Sequence, residues 1–245
     1  MEIKICHLYP DILNLYGDQG NIICMKKRLE WRNIDCSVTE VSIGESADFT
    51  QFDIFFIGGG QDFEQGILLD DLSKGKADDI KAAVADGKTF LTICGGYQML
   101  GNYYRTWDGN QCDFIGAIDY YTVGHKDRMI GNFMYQLGEE SGGSIVCGFE
   151  NHSGKTYLSE GLKPLGTILS GYGNNGEDKT EGIRYNNVFG TYSHGPVLPK
   201  NPAFADFILK TALGEKYTTF DFCDIDDTFE NNANEYMIKR LSGSR

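Results

Sequence analysis

Apolar positions in the first hundred residues follow two rhythms. Glu2-Ile3-Lys4-Ile5 alternates, and residues 2–8 are predicted as a first strand. A loop follows from Tyr9-Pro10-Asp11 through Tyr16-Gly17-Asp18-Gln19-Gly20, then a helix from about Asn21 to Trp31, then a second alternating strand from Cys36 to Val41. Asp53-Ile54-Phe55-Phe56-Ile57 is instead a continuous apolar run, the mark of a strand buried on both faces, and it ends in Gly58-Gly59-Gly60. Ala77 to Ala85 reads as a helix closed by Asp86-Gly87. A further buried strand, Lys88-Thr89-Phe90-Leu91-Thr92-Ile93, runs directly into Cys94-Gly95-Gly96-Tyr97-Gln98-Met99-Leu100. This order of strands and helices predicts an α/β protein with a mostly parallel sheet flanked by helices.

From Asp113 to about Tyr192 the pattern changes to short β-like runs broken by glycine and asparagine, with Arg184-Tyr185-Asn186-Asn187-Val188-Phe189 resembling a hairpin around an Asn-Asn turn. The expectation is a β-rich second half that extends the same sheet. Pro202 opens a helix with Phe204, Phe207, Ile208 and Ala212 on one face. A polar, acidic stretch from Asp224 to Asn234 precedes a last short helix carrying Tyr236, Met237 and Leu241. With no repeat, linker or boundary, residues 1–245 read as a single domain, of which about 224–245 are an acidic tail and terminal helix.

Charge narrows the range of partners. Twenty-two Lys and Arg face 35 Asp and Glu, a formal net charge of −13, which repels nucleic acid and anionic membranes unless a basic patch intervenes. The densest basic cluster, Lys26-Lys27-Arg28, reads as a solvated helix face with Glu30 beside it. No apolar stretch has the length to span a bilayer, so the chain reads as cytoplasmic. Its seven cysteines are scattered and never spaced C-x-x-C, which disfavours disulfide frameworks and metal sites.

One cysteine stands apart. Cys94 lies where a buried strand turns sharply into a helix that begins with two glycines, the layout of a nucleophile elbow. The following helix start places backbone N–H groups and positive dipole near the sulfur, which favours a thiolate and can hold an oxyanion. A cysteine nucleophile needs a base, and there are four histidines. His7 at a strand end and His125 in a charged loop read as surface or core-edge residues. His152 lies in Glu150-Asn151-His152-Ser153-Gly154-Lys155-Thr156, which invites comparison with a phosphate-binding loop. Five residues separate Gly148 from Gly154 where that loop needs four, and no buried strand precedes it. His194 remains, in Tyr192-Ser193-His194-Gly195-Pro196 before the last large helix.

The triple glycine after Ile57, the elbow Thr92-Ile93-Cys94-Gly95-Gly96-Tyr97-Gln98 and the late Tyr192-Ser193-His194-Gly195 occur in the order and spacing of class I glutamine amidotransferases, and the chain resembles their cobyric-acid-synthase-like branch. His7-Leu8-Tyr9-Pro10-Asp11, Leu15-Tyr16-Gly17-Asp18, Gly148-Phe149-Glu150-Asn151-His152 and Gly171-Tyr172-Gly173-Asn174-Asn175-Gly176 bring it closer to the amidotransferase subunits of lipid II isoglutaminyl synthases. The resemblance implies a class I amidotransferase-like fold. It implies that Cys94 attacks the glutamine side-chain amide and passes through a thioester while His194 manages the protons. Backbone N–H groups near Gly59 or Gly60 and at Gly95 would form the oxyanion hole, Gln98 would support the glutamine pocket, and Arg128 would engage the charged substrate; read alone, Arg128 is a solvated charge. Many class I members carry a glutamate two residues after the histidine, where this chain has Pro196. The site is then a Cys-His dyad or draws a third member from elsewhere, and Asp18 in the opening loop is the candidate.

The resemblance further implies a separate Mur-ligase-like partner, MurT, that would hold ATP and Mg while this chain holds no cofactor. The pair would convert the D-glutamate of the lipid II stem peptide to D-isoglutamine, and lipid II could recruit it to the inner membrane face. Alternatives are a free-standing Cys-His hydrolase such as a peptidase or γ-glutamyl hydrolase, a cobyric-acid-type amidotransferase acting on another carboxylate, and a non-enzymatic scaffold with a structural or redox-sensing Cys94.

Overall fold

The two continuous apolar runs form the centre of a parallel sheet in the computed structural model, which describes residues 1–60 and 65–243. Strand β3 (Ile54–Ile57) and strand β4 (Thr89–Ile93) are buried at every position, as strands covered on both faces must be. Strand β1 (Glu2–Leu8) pairs with β3, and strand β2 (Asp35–Val41) closes that edge with the alternating exposure its sequence predicts. The other edge is the Asn186-Asn187 hairpin of β11 (Ile183–Tyr185) and β12 (Val188–Thr191), giving the order β11-β12-β4-β3-β1-β2. All neighbours are parallel except β11 and β12.

Helices cover this sheet with the faces their periodicity dictates. Helix α1 (Gln19–Glu30) buries Ile22, Met25 and Leu29, a three-and-four spacing that lines one side of a helix. Helix α2 (Gln65–Asp71) leads through a single π-turn into helix α3 (Ala77–Ala85), which buries Ile80, Ala83 and Val84. Helix α4 (Gly95–Met99) is the short element that follows Cys94. Helix α5 (Pro202–Lys216) buries Phe204, Ile208 and Ala212, with Phe207 at the edge of that face.

Two expectations need correction. The stretch from 113 to 192 extends the first sheet only through its last two strands; the rest forms a second sheet. Strands β5 (Tyr103–Arg105), β6 (Gln111–Asp113), β7 (Tyr120–Leu137), β8 (Ile145–Leu158), β9 (Gly166–Ser170) and β10 (Thr180–Glu181) make it up, built around the long β7–β8 hairpin. Alternation marks a half-buried strand but carries no information about which sheet it joins. Among the described residues the two sheets are bridged where Phe149 and His194 exchange backbone hydrogen bonds of 3.2 and 2.8 Å.

The Lys26-Lys27-Arg28 cluster is also not wholly solvated. Arg28 is 2% exposed and binds Asp206 through Nε at 2.6 Å and Asp227 through both terminal nitrogens at 2.6 and 2.7 Å. Arg32 reaches the other oxygen of Asp206 at 2.7 Å. A buried guanidinium is tolerable only when its donors meet carboxylates, so α1 draws the acidic stretch against the body. The terminal helix α6 accordingly begins at Thr228 and runs to Ser242, earlier than the sequence suggests. Among the described residues no helix is long and apolar enough to cross a membrane.

Candidate active site

Cys94 closes β4 and caps α4 with φ 49° and ψ −105°, a conformation that costs a non-glycine residue about 1–3 kcal/mol. Its surroundings enforce it. The Cys94 N–H donates to the Thr191 carbonyl at the end of β12 at 2.8 Å, and its carbonyl accepts from the Gln98 N–H at 2.8 Å. The sulfur thus stands at the carboxyl ends of the central strands, where open α/β sheets place their sites.

His194 arrives from the neighbouring β12, three residues past its end, and the bridge to Phe149 fixes its backbone. The side chain is wholly buried. Asp18 Oδ2 lies 3.5 Å from His194 Nδ1 and also accepts the Gly59 N–H at 2.8 Å. Burial works against a charged imidazole, but the Cys94 sulfur, then Asp18, outweigh it and raise the His194 pKa to about 10. Such a group carries its proton across neutral pH.

The first two glycines of the triple are a packing requirement. A Cβ on Gly59 would lie 2.6 Å from His194 Cε1 and 3.2 Å from Asp18 Oδ2, so only glycine lets β3 end against this pair. A Cβ on Gly95 would lie 3.1 Å from the Gly60 nitrogen. Gly60 and Gly95 therefore bring their backbones together beside Cys94. The Gly95 N–H, in the first turn of α4, has no intrahelical acceptor by geometry and can donate to a developing negative oxygen.

A cavity of about 620 Å³ opens over the sulfur, lined by Tyr16, Gly60, Cys94, Gln98, Arg128 and Asn151 among others. Arg128 sits in the irregular segment of β7 between Gly124 and Met129, where the register with β8 shifts. It is exposed, yet Nε donates to Asn151 Oδ1 at 2.8 Å and a terminal nitrogen to the Asn151 carbonyl at 3.0 Å. Gln98 on α4 donates from Nε2 to the Tyr192 hydroxyl at 3.1 Å, and that hydroxyl also meets Thr156 Oγ1 at 2.7 Å. With its amide nitrogen so engaged, Gln98 can turn its carbonyl oxygen to the cavity.

The fold brings together every residue singled out in the sequence: Cys94, His194, Asp18, Gln98, Arg128, Gly59, Gly60 and Gly95. Sequence reasoning missed Tyr16 and Asn151, which line the cavity, and Tyr192, whose ring stacks on His152 at 3.6 Å between centroids. Only the bare motifs Leu15-Tyr16-Gly17-Asp18 and Gly148-Phe149-Glu150-Asn151-His152 hinted at them. His7 is not a surface residue: it is 1% exposed, and burial pushes its pKa down to about 4 against the pull of Asp11 and Asp18. The segment around His152 is a strand with no helix after it, which rules out a phosphate-binding loop there.

Comparison with known proteins places this geometry in context. The CobB/CobQ-like glutamine amidotransferase domain matches residues 4–202. The GatD subunit of the glutamine-hydrolysing lipid II isoglutaminyl synthase from Staphylococcus aureus strain N315 is 45% identical over 241 residues, 98% of this chain and 97% of that protein. The corresponding subunit of Streptococcus pneumoniae strain R6 is 41% identical over 217 residues, 88% of this chain and 82% of that protein. Among solved structures, a glutamine amidotransferase of Thermotoga maritima superposes with a TM-score of 0.54 at 15% identity, covering 99% of both chains, a likeness of fold.

Proposed function

The chain belongs to the CobB/CobQ-like glutamine amidotransferase family, and from that premise we propose that it is the glutamine-hydrolysing subunit of a lipid II isoglutaminyl synthase. The observation that carries this is an elbow cysteine beneath an open cavity, with a buried His194–Asp18 pair beside it, in a chain 45% identical over nearly its whole length to such a subunit. The Cys94 thiolate attacks the side-chain amide carbon of glutamine, and the N–H groups of Gly95 and Gly60 receive the negative oxygen. His194 gives its proton to the departing nitrogen, which leaves as ammonia while the acyl group stays on sulfur as a thioester. His194 then takes a proton from water as that water attacks the thioester, and glutamate is released. Asp18 keeps Nδ1 oriented and offsets the positive ring, Gln98 holds the amide end, and Arg128 meets the substrate carboxylate.

Ammonia needs an activated acceptor, and none of this chain's chemistry supplies one. The partner is a Mur-ligase-like synthetase, MurT, which binds ATP and Mg and activates the α-carboxyl of D-glutamate in the lipid II stem peptide. This chain itself uses no cofactor. With a net charge of −13 it is repelled by an anionic bilayer and by a polyprenyl pyrophosphate, so acceptor recognition falls to the partner. The pair acts in the cytoplasm, drawn to the inner membrane face by lipid II. The test is mass spectrometry of the stem peptide after incubation of each subunit, alone and together, with glutamine, ATP, Mg and lipid II. Amidated product is expected from the pair only; product from this chain by itself, or none from the pair, overturns the assignment.

A further inference from the structure

The turn that delivers Asp18 also delivers Tyr16, and the mechanism above leaves Tyr16 without a task. Its backbone sits at φ 55° and ψ 24°, in the left-handed region that a bulky residue occupies only when its surroundings impose it. Both ends of the turn are tied down. The Leu15 N–H donates to the Gly59 carbonyl at 3.1 Å, and Asn14 Oδ1 accepts the Gln19 N–H at 2.8 Å.

So held, the Tyr16 ring lies against the His194 imidazole, with centroids 4.8 Å apart and planes inclined at 59°, and meets Phe149 edge-on at 5.7 Å. Its hydroxyl accepts a hydrogen bond from Asn151 Nδ2. Asn151 is in turn the residue gripped by Arg128, through its side-chain oxygen and its carbonyl. Tyr16, Asn151 and Arg128 all line the cavity over Cys94. They form a continuous chain of contacts from the guanidinium at its rim to the buried imidazole.

The imidazole needs such a support. Neither ring nitrogen of His194 has a hydrogen bond of ordinary geometry among the described residues, and Asp18 stands at 3.5 Å. Packing therefore shares with Asp18 the task of setting the ring orientation, and Tyr16 is an aromatic partner packed against it. We propose that Tyr16 is a positioning residue: its ring holds the His194 imidazole toward Cys94 and Asp18, and its hydroxyl ties that orientation, through Asn151, to Arg128. A substrate carboxylate at Arg128 competes with Asn151 for the same N–H donors, so occupancy at the rim is felt at the base. The substrate half of this inference rests on the glutaminase reading; the Tyr16–His194 half stands on the packing alone.

The experiment uses the full chain with Tyr16→Leu, which removes the ring, with Tyr16→Phe, which keeps the ring and loses the link, with Asn151→Ala, and with the last two combined. Two readouts are needed: the pH profile of Cys94 alkylation by iodoacetamide, which requires no glutamine pocket, and steady-state glutamine hydrolysis. Each single variant is expected to move the acid limb of the alkylation profile upward by about one pH unit, as the imidazole loses its hold on the sulfur. Each is expected to lower kcat roughly tenfold, and the double variant to be no worse than either single, since both cut one chain. Thermal melts of all variants check that the fold survives. Tyr16→Leu with the wild-type profile and wild-type kcat overturns the positioning role of the ring, and Tyr16→Phe with both unchanged, or strictly additive losses, overturns the link through Asn151. A wild-type chain that never hydrolyses glutamine, but whose alkylation profile still shifts with Tyr16→Leu, upholds the positioning role and refutes the glutaminase reading.

Discussion

The Asp18 carboxylate stands 3.5 Å from Nδ1 of His194, with neither side chain reached by solvent. At that depth a carboxylate favours the imidazolium and fixes which nitrogen faces the sulfur. Asp18→Asn removes the charge while leaving an oxygen for the Gly59 N–H. It is expected to lower kcat by ~10- to 1,000-fold with KM changed little. Steady-state kinetics decide the matter: wild-type turnover would mean that Cys94 and His194 act as a dyad.

Cys94→Ala and His194→Ala should each abolish glutamate release, and the double variant should lose no more, because the two groups act as a unit. The same variants test the charge state of the base. The Cys94 sulfur is the largest influence raising the His194 pKa and burial opposes it, so in Cys94→Ala the ring should titrate well below about 10. Histidine proton resonances followed against pH measure this directly. In the intact site the imidazolium persists to high pH. On the alkaline side, the rate of ammonia release should therefore fall as pH climbs toward about 10 and the proton needed by the leaving nitrogen is lost.

Arg128→Ala should raise KM for glutamine by roughly 10- to 100-fold, the range of a charge-assisted pair with a carboxylate, and, because it also releases Asn151, lower kcat by no more than about tenfold. Arg128→Lys should rescue poorly, since an ammonium cannot make two parallel bonds. Unchanged hydrolysis at subsaturating glutamine would identify Arg128 as a structural clasp on Asn151 alone.

Glu181 tests how the scaffold behind the site responds to pH. It is wholly buried; Oε1 accepts from Thr191 Oγ1 at 2.6 Å and from the Tyr192 N–H at 2.8 Å, while Oε2 has no partner among the described residues. Burial raises its pKa to about 8 despite those two donors. The folded protein then binds a proton that the unfolded chain has already released, so Glu181 makes stability fall as pH rises from about 4.5 through about 8. Glu181→Gln should flatten that decline and stabilise the protein above pH 8 by a gain on the order of 1–4 kcal/mol. Urea unfolding at pH 6 and pH 9 measures it; parallel pH dependence in the two proteins would show that Glu181 stays ionised.

Much of this protein is decided within short stretches of sequence. Ile54–Ile57 and Thr89–Ile93 are apolar without a break, and a run of that length can only be a central strand or part of a buried helix; the glycines that end both settle it as strand. The elbow is equally local, because Cys94 and the glycines after it constrain a single turn. What the sequence left open is whatever depends on segments far apart meeting. Alternation could not say that β7 and β8 leave the first sheet for a second, since either sheet would satisfy the same inward and outward faces. Nor could it show Arg28 as buried, because the carboxylates that neutralise it lie on Asp206 and Asp227. His194 was visible as a candidate base, but its orientation depends on Phe149, Asp18 and Tyr16, drawn from two other parts of the chain. Backbone periodicity is fixed by neighbours a few residues away, whereas the pairing of distant groups is settled only by which arrangement buries apolar surface and gives buried charges such as Arg28 their partners. The tertiary structure made that choice.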